Sequence, residues 1–337
     1  MLRTVFMGSD AIALPLLNWL ADEARNSAKL VAVYTQPDRA VGRGQKVQPN
    51  AIKEWAIARG LPVHQPEKLT ADELVRLKNY APDVALIMAY GHILRQEFIG
   101  APRLGTLNFH TSLLPKYRGA SPIQTAVTSG DRETGVTLMR IVPTLDAGPM
   151  ADVEHVAIEP LDTALEVETK LAQSCVTLLA RALPKLAAGA LAFVEQDAAQ
   201  ATFCRKLEKS DGVLDFAASA AILAARINGL FPWPACSVEI NGQPVKLGLA
   251  DAVSLAECHV LNDKLSPPGT VLGPDECGLL VETGVGLLRI RRLQRPGGKM
   301  LGASDFLRGF SLPIGTLLRS QPMPELVFTQ PPPRIRS

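Results

Sequence analysis

Short, almost uninterrupted apolar runs alternate with helical patterns through the first half of the chain. Strand-like runs lie at 4–8, 30–35, 83–89, 105–110 and 134–141, and helical patterns lie near 11–25, 50–59, 70–79 and 121–129. Parallel strands covered on both faces carry such continuous apolar runs, so this alternation predicts a doubly wound, Rossmann-like α/β domain with a mainly parallel sheet. A longer helix is predicted at 163–187, where one apolar stripe steps by three and four residues.

The pattern changes after about residue 189. Because 337 residues exceed one typical hydrophobic core, we expect two domains, the first at 1–189, followed by a surface linker at 190–208. In 209–330, short strands separated by Gly, Pro and an Asn241-Gly242 hairpin turn predict a small antiparallel β-barrel, OB-like in architecture. The proline-rich stretch 331–337 is predicted to be a disordered tail.

The cysteines indicate a reducing compartment. The five cysteines are scattered and never form Cys-x-x-Cys, which argues against a disulfide framework or a structural zinc site. The N-terminus is typical of a first strand rather than a signal peptide, and no apolar run of about 18 residues predicts a transmembrane helix. We therefore expect a cytoplasmic protein, and no metal, since the histidines show no ligand spacing.

Several common chemistries lack their sequence signal. The segment "MGSD" after the first strand is not Gly-x-Gly-x-x-Gly, and "GRGQK" at 42–46 lacks P-loop spacing. A Gly-x-Ser-x-Gly nucleophile elbow is also missing from the sequence. The formal net charge of +2 is too near neutral to imply a nucleic-acid partner by itself.

The strand-like run that ends in "NFH" carries the first candidate site. Asn108 and His110 are two positions apart and therefore share one face at the end of a strand. Ligands of open α/β sheets bind beyond the carboxyl ends of strands. The next strand, 134–141, leads into a loop where the Gly148-Pro149 turn could present Asp146 beside that end.

An amide donor, an imidazole and a carboxylate together suit acyl transfer without a covalent intermediate. The amide can donate to a developing oxyanion, and the imidazole can relay a proton near neutral pH. A structural interpretation stays open, however, because an Asn-x-His pair at a strand end often satisfies a buried corner. Asp146 could likewise be an ordinary Asx-turn residue.

Residues 108–127, "NFHTSLLPKYRGASPIQTAV", resemble the signature of the tetrahydrofolate-dependent formyltransferases, with its Asn-x-His, Ser-Leu-Leu-Pro and Arg-Gly-x-x-Pro-Ile-Gln elements in order. Residues 134–150 resemble that family's second signature, with its Asp-x-Gly turn. The resemblance implies a formyltransferase catalytic domain at 1–189 with Asn108, His110 and Asp146 as the catalytic trio. It further implies a folate-contacting turn at Ser112, Leu113, Leu114 and Pro115.

Three further regions resemble the branch of this family whose acceptor is a charged tRNA: 33–46, 82–94, and 206–216 together with 227–247. The implied donor is 10-formyltetrahydrofolate, and the implied acceptor is the methionine α-amino group of initiator methionyl-tRNA, used in translation initiation. Phe109, Thr111 and Pro149 depart from the commoner residues of the signatures. His92 also departs, and it could tune the pocket or be structural.

Local basic segments support an RNA partner. The stretch 289–299 contains no acid, and its residues Arg289 and Arg291 would share one strand face while Leu288 and Ile290 face the barrel core. The glycine-rich loop 35–49 would be flexible when free and could order on RNA. The candidate tRNA contacts are Arg39, Arg43, Lys46, Lys206, Arg289, Arg291, Arg292, Arg295 and Lys299. Arg43 is the contact that the resemblance implies most directly.

Two alternatives remain. A formyltransferase could act on a small amine such as glycinamide ribonucleotide or an amino sugar, but such an acceptor would need neither basic segment. A folate- or RNA-binding module without catalysis would not need Asn108, His110 and Asp146 together. We expect a monomer, because no exposed apolar repeat or coiled coil is evident in the sequence.

Overall fold

A computed structural model describes residues 1–41, 44–253 and 266–332 of the chain. It divides into two compact units that each collect three stretches of chain. The first unit holds 1–118, 135–156 and 168–201, and the second holds 119–134, 157–167 and 202–337. The division predicted from the sequence consists instead of continuous stretches, with boundaries at 189 and 209, and it stays a prediction.

The helices and strands follow the predicted order. The elements up to residue 128 are β1 (Leu2–Gly8), α1 (Leu14–Asp22), β2 (Ala28–Tyr34), β3 (Arg39–Val41), β4 (Lys46–Gln48), α2 (Ala51–Ala58), β5 (Val63–His64), α3 (Ala71–Asn79), β6 (Val84–Met88), α4 (Gln96–Ile99), β7 (Thr106–His110), β8 (Arg118–Gly119) and α5 (Pro122–Thr128). Those up to residue 230 are β9 (Glu133–Arg140), β10 (Met150–Ala157), α6 (Ala164–Ala187), β11 (Phe203–Cys204) and α7 (Ala220–Leu230). The remaining ones are β12 (Cys236–Ile240), β13 (Gln243–Val253), β14 (Val271–Pro274), β15 (Leu279–Glu282), β16 (Leu287–Gln294), β17 (Leu301–Gly302), α8 (Ala303–Arg308) and β18 (Val327–Phe328).

The first unit is built on a seven-stranded sheet in the order β10-β9-β7-β6-β1-β2-β5. Strands β5, β2, β1, β6 and β7 run parallel, which confirms the predicted Rossmann-like parallel sheet. The strand predicted at 134–141 is present as β9, but it is antiparallel to β7. The register places His110 opposite Thr137 and Leu107 opposite Arg140, so β9 ends beside the beginning of β7.

The predicted helix at 163–187 is α6, and its stripe is buried. Cys175 and Leu178, in the middle of that stripe, have no exposed surface. The helix starts with a capping-box contact, in which the Glu166 carboxylate accepts from the Thr163 amide at 2.9 Å. Residues of β1, β6 and β2 form the apolar core of the first unit, since almost every position of these strands is buried on both faces.

The second unit contains a six-stranded sheet, ordered β12-β13-β16-β15-β14 with β17 beside β16, that curls into a half-barrel. The two-residue turn predicted at Asn241-Gly242 joins β12 to β13, with φ values of 52° and 72° as a type I′ turn requires. Within the same unit, the fully buried Asp211 carboxylate accepts from both terminal nitrogens of Arg205.

The segment 35–49 was predicted to be a flexible loop, but part of it forms two short strands. Strands β3 and β4 pair antiparallel within it, with Arg39 opposite Gln48. Arg43 and residues 333–337 of the predicted tail lie outside the described residues. Over the described ranges, none of the helices is long and apolar enough to cross a membrane, and no three His, Cys, Asp or Glu side chains cluster as metal ligands would.

Candidate active site

Asn108 and His110 lie at the carboxyl end of β7, which runs between β6 and β9 in the sheet. Asn108 is paired with Ile87 on one side and Met139 on the other, and it is half-buried. No hydrogen bond to its side-chain amide occurs within the part of the chain that the structure describes. The amide is therefore available to donate to a ligand at the carboxyl end of the parallel strands.

The His110 ring, only 6% exposed, is oriented by a main-chain group. Its Nε2 lies 2.9 Å from the Tyr117 carbonyl oxygen, which can only accept, so Nε2 carries the proton. The neutral ring therefore presents an unprotonated Nδ1, and this atom lies 3.8 Å from Asp146 Oδ2. Nδ1 is the position at which the ring can take up a second proton, in front of a carboxylate that would stabilise it.

Asp146 lies beside His110 because the loop 141–149 returns along β7. Because β9 is antiparallel to β7, the loop 141–149 starts beside the beginning of β7, where the Ile141 amide donates to the Thr106 carbonyl at 3.0 Å. The loop is closed by the Arg140 amide, which donates to the Pro149 carbonyl at 2.9 Å. Its middle returns toward the other end of β7 and places the Asp146 carboxylate, 15% exposed, beside the imidazole.

The backbone of this loop is tightly constrained. Asp146 has a φ of +48°, a left-handed conformation that is unfavourable for most residues other than glycine. A Cβ on Gly148 would lie 1.9 Å from the Arg140 carbonyl oxygen, so only glycine fits there. The Gln196 amide donates to the carbonyls of both Asp146 and Gly148 at 2.8 Å.

The turn after β7 is held in place by one buried threonine. Thr137 Oγ1 donates to the Ser112 carbonyl at 2.7 Å and accepts from the Leu114 amide at 3.1 Å. The Ser112 hydroxyl in turn donates to the Lys116 carbonyl at 2.6 Å. Leu114 is buried, whereas Leu113 and Pro115 are partly exposed, so the turn offers apolar surface on a rigid support.

Two family models match the sequence. The model described as formyl transferase matches residues 2–183, and the one described as formyl transferase, C-terminal domain, matches residues 206–311. The chain belongs to the formyltransferase family. The methionyl-tRNA formyltransferase of Ectopseudomonas mendocina is 42% identical over 305 residues, which cover 90% of this chain and 93% of that protein. The protein of the same name from Methylococcus capsulatus is 40% identical over 312 residues, covering 92% and 98%.

Solved structures share the fold of this formyltransferase. A sugar 3N-formyl transferase, WlaRD, solved in the presence of dTDP and 5-N-formyl-THF, superposes with a TM-score of 0.63 at 17% identity, covering 89% of this chain and 99% of that one. HypX from Aquifex aeolicus, in complex with tetrahydrofolic acid, gives 0.59 at 16% identity and covers 91% and 47%. At such low identity these neighbours establish the fold alone.

The basic strand of the formyltransferase is partly neutralised. Arg289 contacts Asp251 and Asp275 at 3.1 and 2.7 Å, and Arg291 Nε donates to Asp251 at 2.5 Å. Burial alone would raise the pKa of Asp275, but hydrogen bonds from two backbone amides and from Arg289 lower it below its usual range. The predicted apolar partners Leu288 and Ile290 do face the core, being 0% and 1% exposed.

The other predicted RNA-contacting residues are exposed. They comprise Arg39, Lys46, Lys206, Arg292, Arg295 and Lys299. Arg39 donates to the Gln36 side chain at 2.9 Å. His92 donates from Nε2 to the Pro66 carbonyl at 3.1 Å, and burial lowers the pKa of this imidazole. These contacts give His92 a structural partner and favour the structural interpretation.

Sequence reasoning missed three residues that hold the site. Tyr117 supplies the carbonyl that orients His110. It lies within the first family signature, 108–127, which could have pointed to it. Thr137 is one of several buried residues of β9, and only the pairing of β9 with β7 shows that it lies beside the turn after His110. Gln196 lies in the weakly patterned segment predicted to be a linker, where no local signal distinguishes it.

Proposed function

We propose that this formyltransferase transfers the formyl group of 10-formyltetrahydrofolate to the α-amino group of methionine on initiator methionyl-tRNA. The observation that carries the proposal is that relatives named methionyl-tRNA formyltransferase match almost the full chain at about 40% identity. The arrangement of Asn108, His110 and Asp146 supports it chemically. The reaction serves translation initiation, and we place it in the cytoplasm.

Asn108 supplies the oxyanion donor. Attack of an amine on a formyl carbon turns the carbonyl oxygen into an oxyanion, which a prepositioned amide N–H stabilises. Removing one such donor typically costs about 3–4 kcal/mol in the transition state, or roughly a hundred- to a thousandfold in kcat. The Asn108 amide suits this role because it is anchored on a central strand and is not engaged by the protein.

His110 and Asp146 handle the proton. The imidazole is fixed at Nε2, so Nδ1 exchanges the proton, and the carboxylate 3.8 Å away stabilises the imidazolium. Asp146 assists transfer of the proton from the attacking amine to Nδ1 of His110, and the resulting imidazolium gives this proton to the folate nitrogen as its bond to the formyl carbon breaks. General acid–base assistance of this kind contributes about 10²–10⁴ in rate.

The turn at Ser112, Leu113, Leu114 and Pro115 is proposed to hold the folate. Its partly exposed apolar side chains are suited to a flat aromatic ring, and its backbone is fixed by Thr137. The solved sugar 3N-formyl transferase and HypX were both obtained with folate derivatives, which supports a folate donor here.

The RNA contacts are proposed for exposed cations. Arg292, Arg295 and Lys299 are the best candidates, because Arg289 and Arg291 are neutralised by carboxylates. Arg39 and Lys46, on the β3–β4 hairpin, flank the undescribed Arg43 that the resemblance favours. Lys206 is a further exposed candidate. We further propose that the half-barrel is OB-like, that 209–330 is the RNA-binding domain and that the protein is a monomer.

Formylation of charged initiator tRNA tests the proposal. Purified protein with 10-formyltetrahydrofolate should convert methionyl-tRNA to formylmethionyl-tRNA, measured by mass spectrometry of the released amino acid. Parallel reactions with glycinamide ribonucleotide and an amino-sugar nucleotide test the small-acceptor alternative. Turnover of a small amine without turnover of methionyl-tRNA would overturn the proposed acceptor.

Two substitutions separate catalysis from folding. His110→Ala should abolish turnover while tRNA binding stays within about twofold, since the imidazole acts on the proton and not on the RNA. His155→Ala, at an exposed histidine of β10, is the matched control and should keep wild-type activity. Undiminished turnover of the His110 variant would remove His110 from the mechanism.

A further inference from the structure

The segment 193–196 lies against the loop that carries Asp146, although the sequence suggested a surface linker. Val194 pairs with Met150 through two main-chain hydrogen bonds of 2.8 Å, which extend the edge of the sheet by one bridge. The Arg140 guanidinium lies 4.2 Å from the centre of the Phe193 ring. The chain thus contacts both ends of the loop 141–149 before it reaches Gln196.

Gln196 uses all of its hydrogen-bonding capacity at this site. Its side-chain NH₂ has two hydrogens, and they are donated to the Asp146 and Gly148 carbonyls at 2.8 Å each. Its side-chain oxygen accepts from Arg118 Nε at 3.1 Å and from Arg118 Nη2 at 2.7 Å. A surface side chain rarely makes four such bonds. Here they link Arg118 and the segment around Gln196 to the turn at Asp146–Gly148.

The orientation of the Gln196 amide is determined by Arg118. The guanidinium, in a residue that is 6% exposed, can only donate, so the amide oxygen must face it and the NH₂ must face the two carbonyls. Reversing the amide would oppose donor to donor and acceptor to acceptor. The Arg118 guanidinium also interacts electrostatically with the Asp146 carboxylate, so it acts on the loop both directly and through Gln196.

The loop requires such support. Asp146 has a left-handed φ of +48°, which aspartate tolerates better than most residues but which still costs energy, so surrounding contacts help to hold it. The two carbonyls that Gln196 holds belong to Asp146 itself and to Gly148, so they bracket the turn. Fixing these two peptide groups fixes the direction of the Asp146 Cα–Cβ bond, and with it the carboxylate facing His110.

We propose that Gln196, oriented by Arg118, is a positioning residue for the Asp146 carboxylate. The proposal rests on the proposed function, since it assumes that Asp146 acts in the transfer. It assigns a role in the active site to the segment 193–196, which contains none of the predicted catalytic residues. Gln196 touches neither the reacting atoms nor His110, and it acts through the main chain of the loop.

Gln196→Glu is the test variant. The carboxylate keeps the size of the side chain and its partner Arg118, but it cannot donate to the two carbonyls. We expect kcat to fall about 10- to 100-fold, as for a misplacement of about 1 Å, with KM for both substrates within about twofold. Gln200→Glu is the matched control, because Gln200 is exposed, donates from its side-chain amide to Asp197 at 2.9 Å and should leave kcat unchanged. If Gln196→Glu does not fold, Gln196→Met removes the donors without adding charge.

A double-mutant cycle distinguishes positioning from a general structural effect. In an Asp146→Asn background, Gln196→Glu should lower the residual kcat by less than about threefold, since residues that act as a unit are non-additive. Hydrogen–deuterium exchange of peptides covering 141–149 should become faster in Gln196→Glu and stay unchanged in Gln200→Glu.

The outcomes separate the two proposals. Wild-type kcat in Gln196→Glu, a full additional loss in the Asp146→Asn background, or unchanged exchange in the loop would each overturn the positioning role. A wild-type protein that fails to formylate methionyl-tRNA would overturn the proposed function instead. In that case the exchange measurement would still decide whether Gln196 holds the loop.

Discussion

Replacing Thr137 by valine should loosen the proposed folate turn and destabilise the first unit. Thr137 is fully buried, and its hydroxyl is the partner of both the Ser112 carbonyl and the Leu114 amide. Valine has nearly the same shape, so the change removes these two hydrogen bonds without opening a cavity. Each buried group left unsatisfied costs about 1–3 kcal/mol.

The net effect can be worked from these contacts. The two unsatisfied groups together cost about 2–6 kcal/mol, and burial of an extra methyl group offsets about 1 kcal/mol. We expect the free energy of unfolding to fall by about 2–4 kcal/mol, since the turn can relax in part. Thr137→Ser keeps the hydroxyl, loses one methyl group and should cost only about 1 kcal/mol.

Urea unfolding followed by tryptophan fluorescence measures this change. Trp19 in α1 and Trp55 in α2 belong to the first unit, whereas Trp233 belongs to the second and is half exposed. A Trp233→Phe background therefore restricts the signal to the unit that contains Thr137. Hydrogen exchange at the Leu114 amide provides a local readout, because the valine variant removes its acceptor.

The activity of the same variant tests the proposed binding role. Thr137→Val should raise KM for 10-formyltetrahydrofolate more than it lowers kcat, because the turn binds the donor and Asn108 and His110 stay on β7. A loss of unfolding free energy below about 0.5 kcal/mol, with unchanged protection of Leu114, would refute the reasoning. Equal losses in the valine and serine variants would assign the effect to packing instead of hydrogen bonding.

Further predictions concern the loop, the thiols and the acid stability. Gly148→Ala should lower kcat about a hundredfold, measured by formylation, because its Cβ would meet the Arg140 carbonyl oxygen at 1.9 Å and displace the loop. In mass-spectrometric alkylation at pH 8, exposed Cys277 should react at once and Cys175 only after unfolding, since burial raises the pKa of Cys175 to about 12. Burial alone would raise the pKa of Asp211, but hydrogen bonds from the Arg205 guanidinium and the Glu208 backbone amide lower it in the folded state. The ionised carboxylate therefore stabilises the fold above the unfolded pKa of about 3.9, and this stabilisation is lost as the pH falls through the lower, folded pKa. Asp211→Asn should flatten the decline of the urea midpoint in this acid range, and an unchanged decline would contradict the assignment.

The sequence by itself determined the helices and strands and the candidate catalytic residues. Hydrophobic periodicity is a local property, so the strand ending at His110, the long helix with Cys175 in its stripe and the turn at Asn241-Gly242 could all be predicted from neighbouring residues. The resemblance to the formyltransferases added the family, which both family models confirm.

Only the tertiary structure decided how these residues meet. The antiparallel direction of β9, the neutralisation of Arg289 by Asp251 and Asp275, and the hydrogen bonds of Gln196 to the Asp146 loop all join positions distant in the sequence. Local patterns carry no information on which strand pairs with which or which carboxylate faces a basic strand. Those contacts depend on the pairing of whole elements, so the charge of the basic strand and the support of the active site became visible only in the fold.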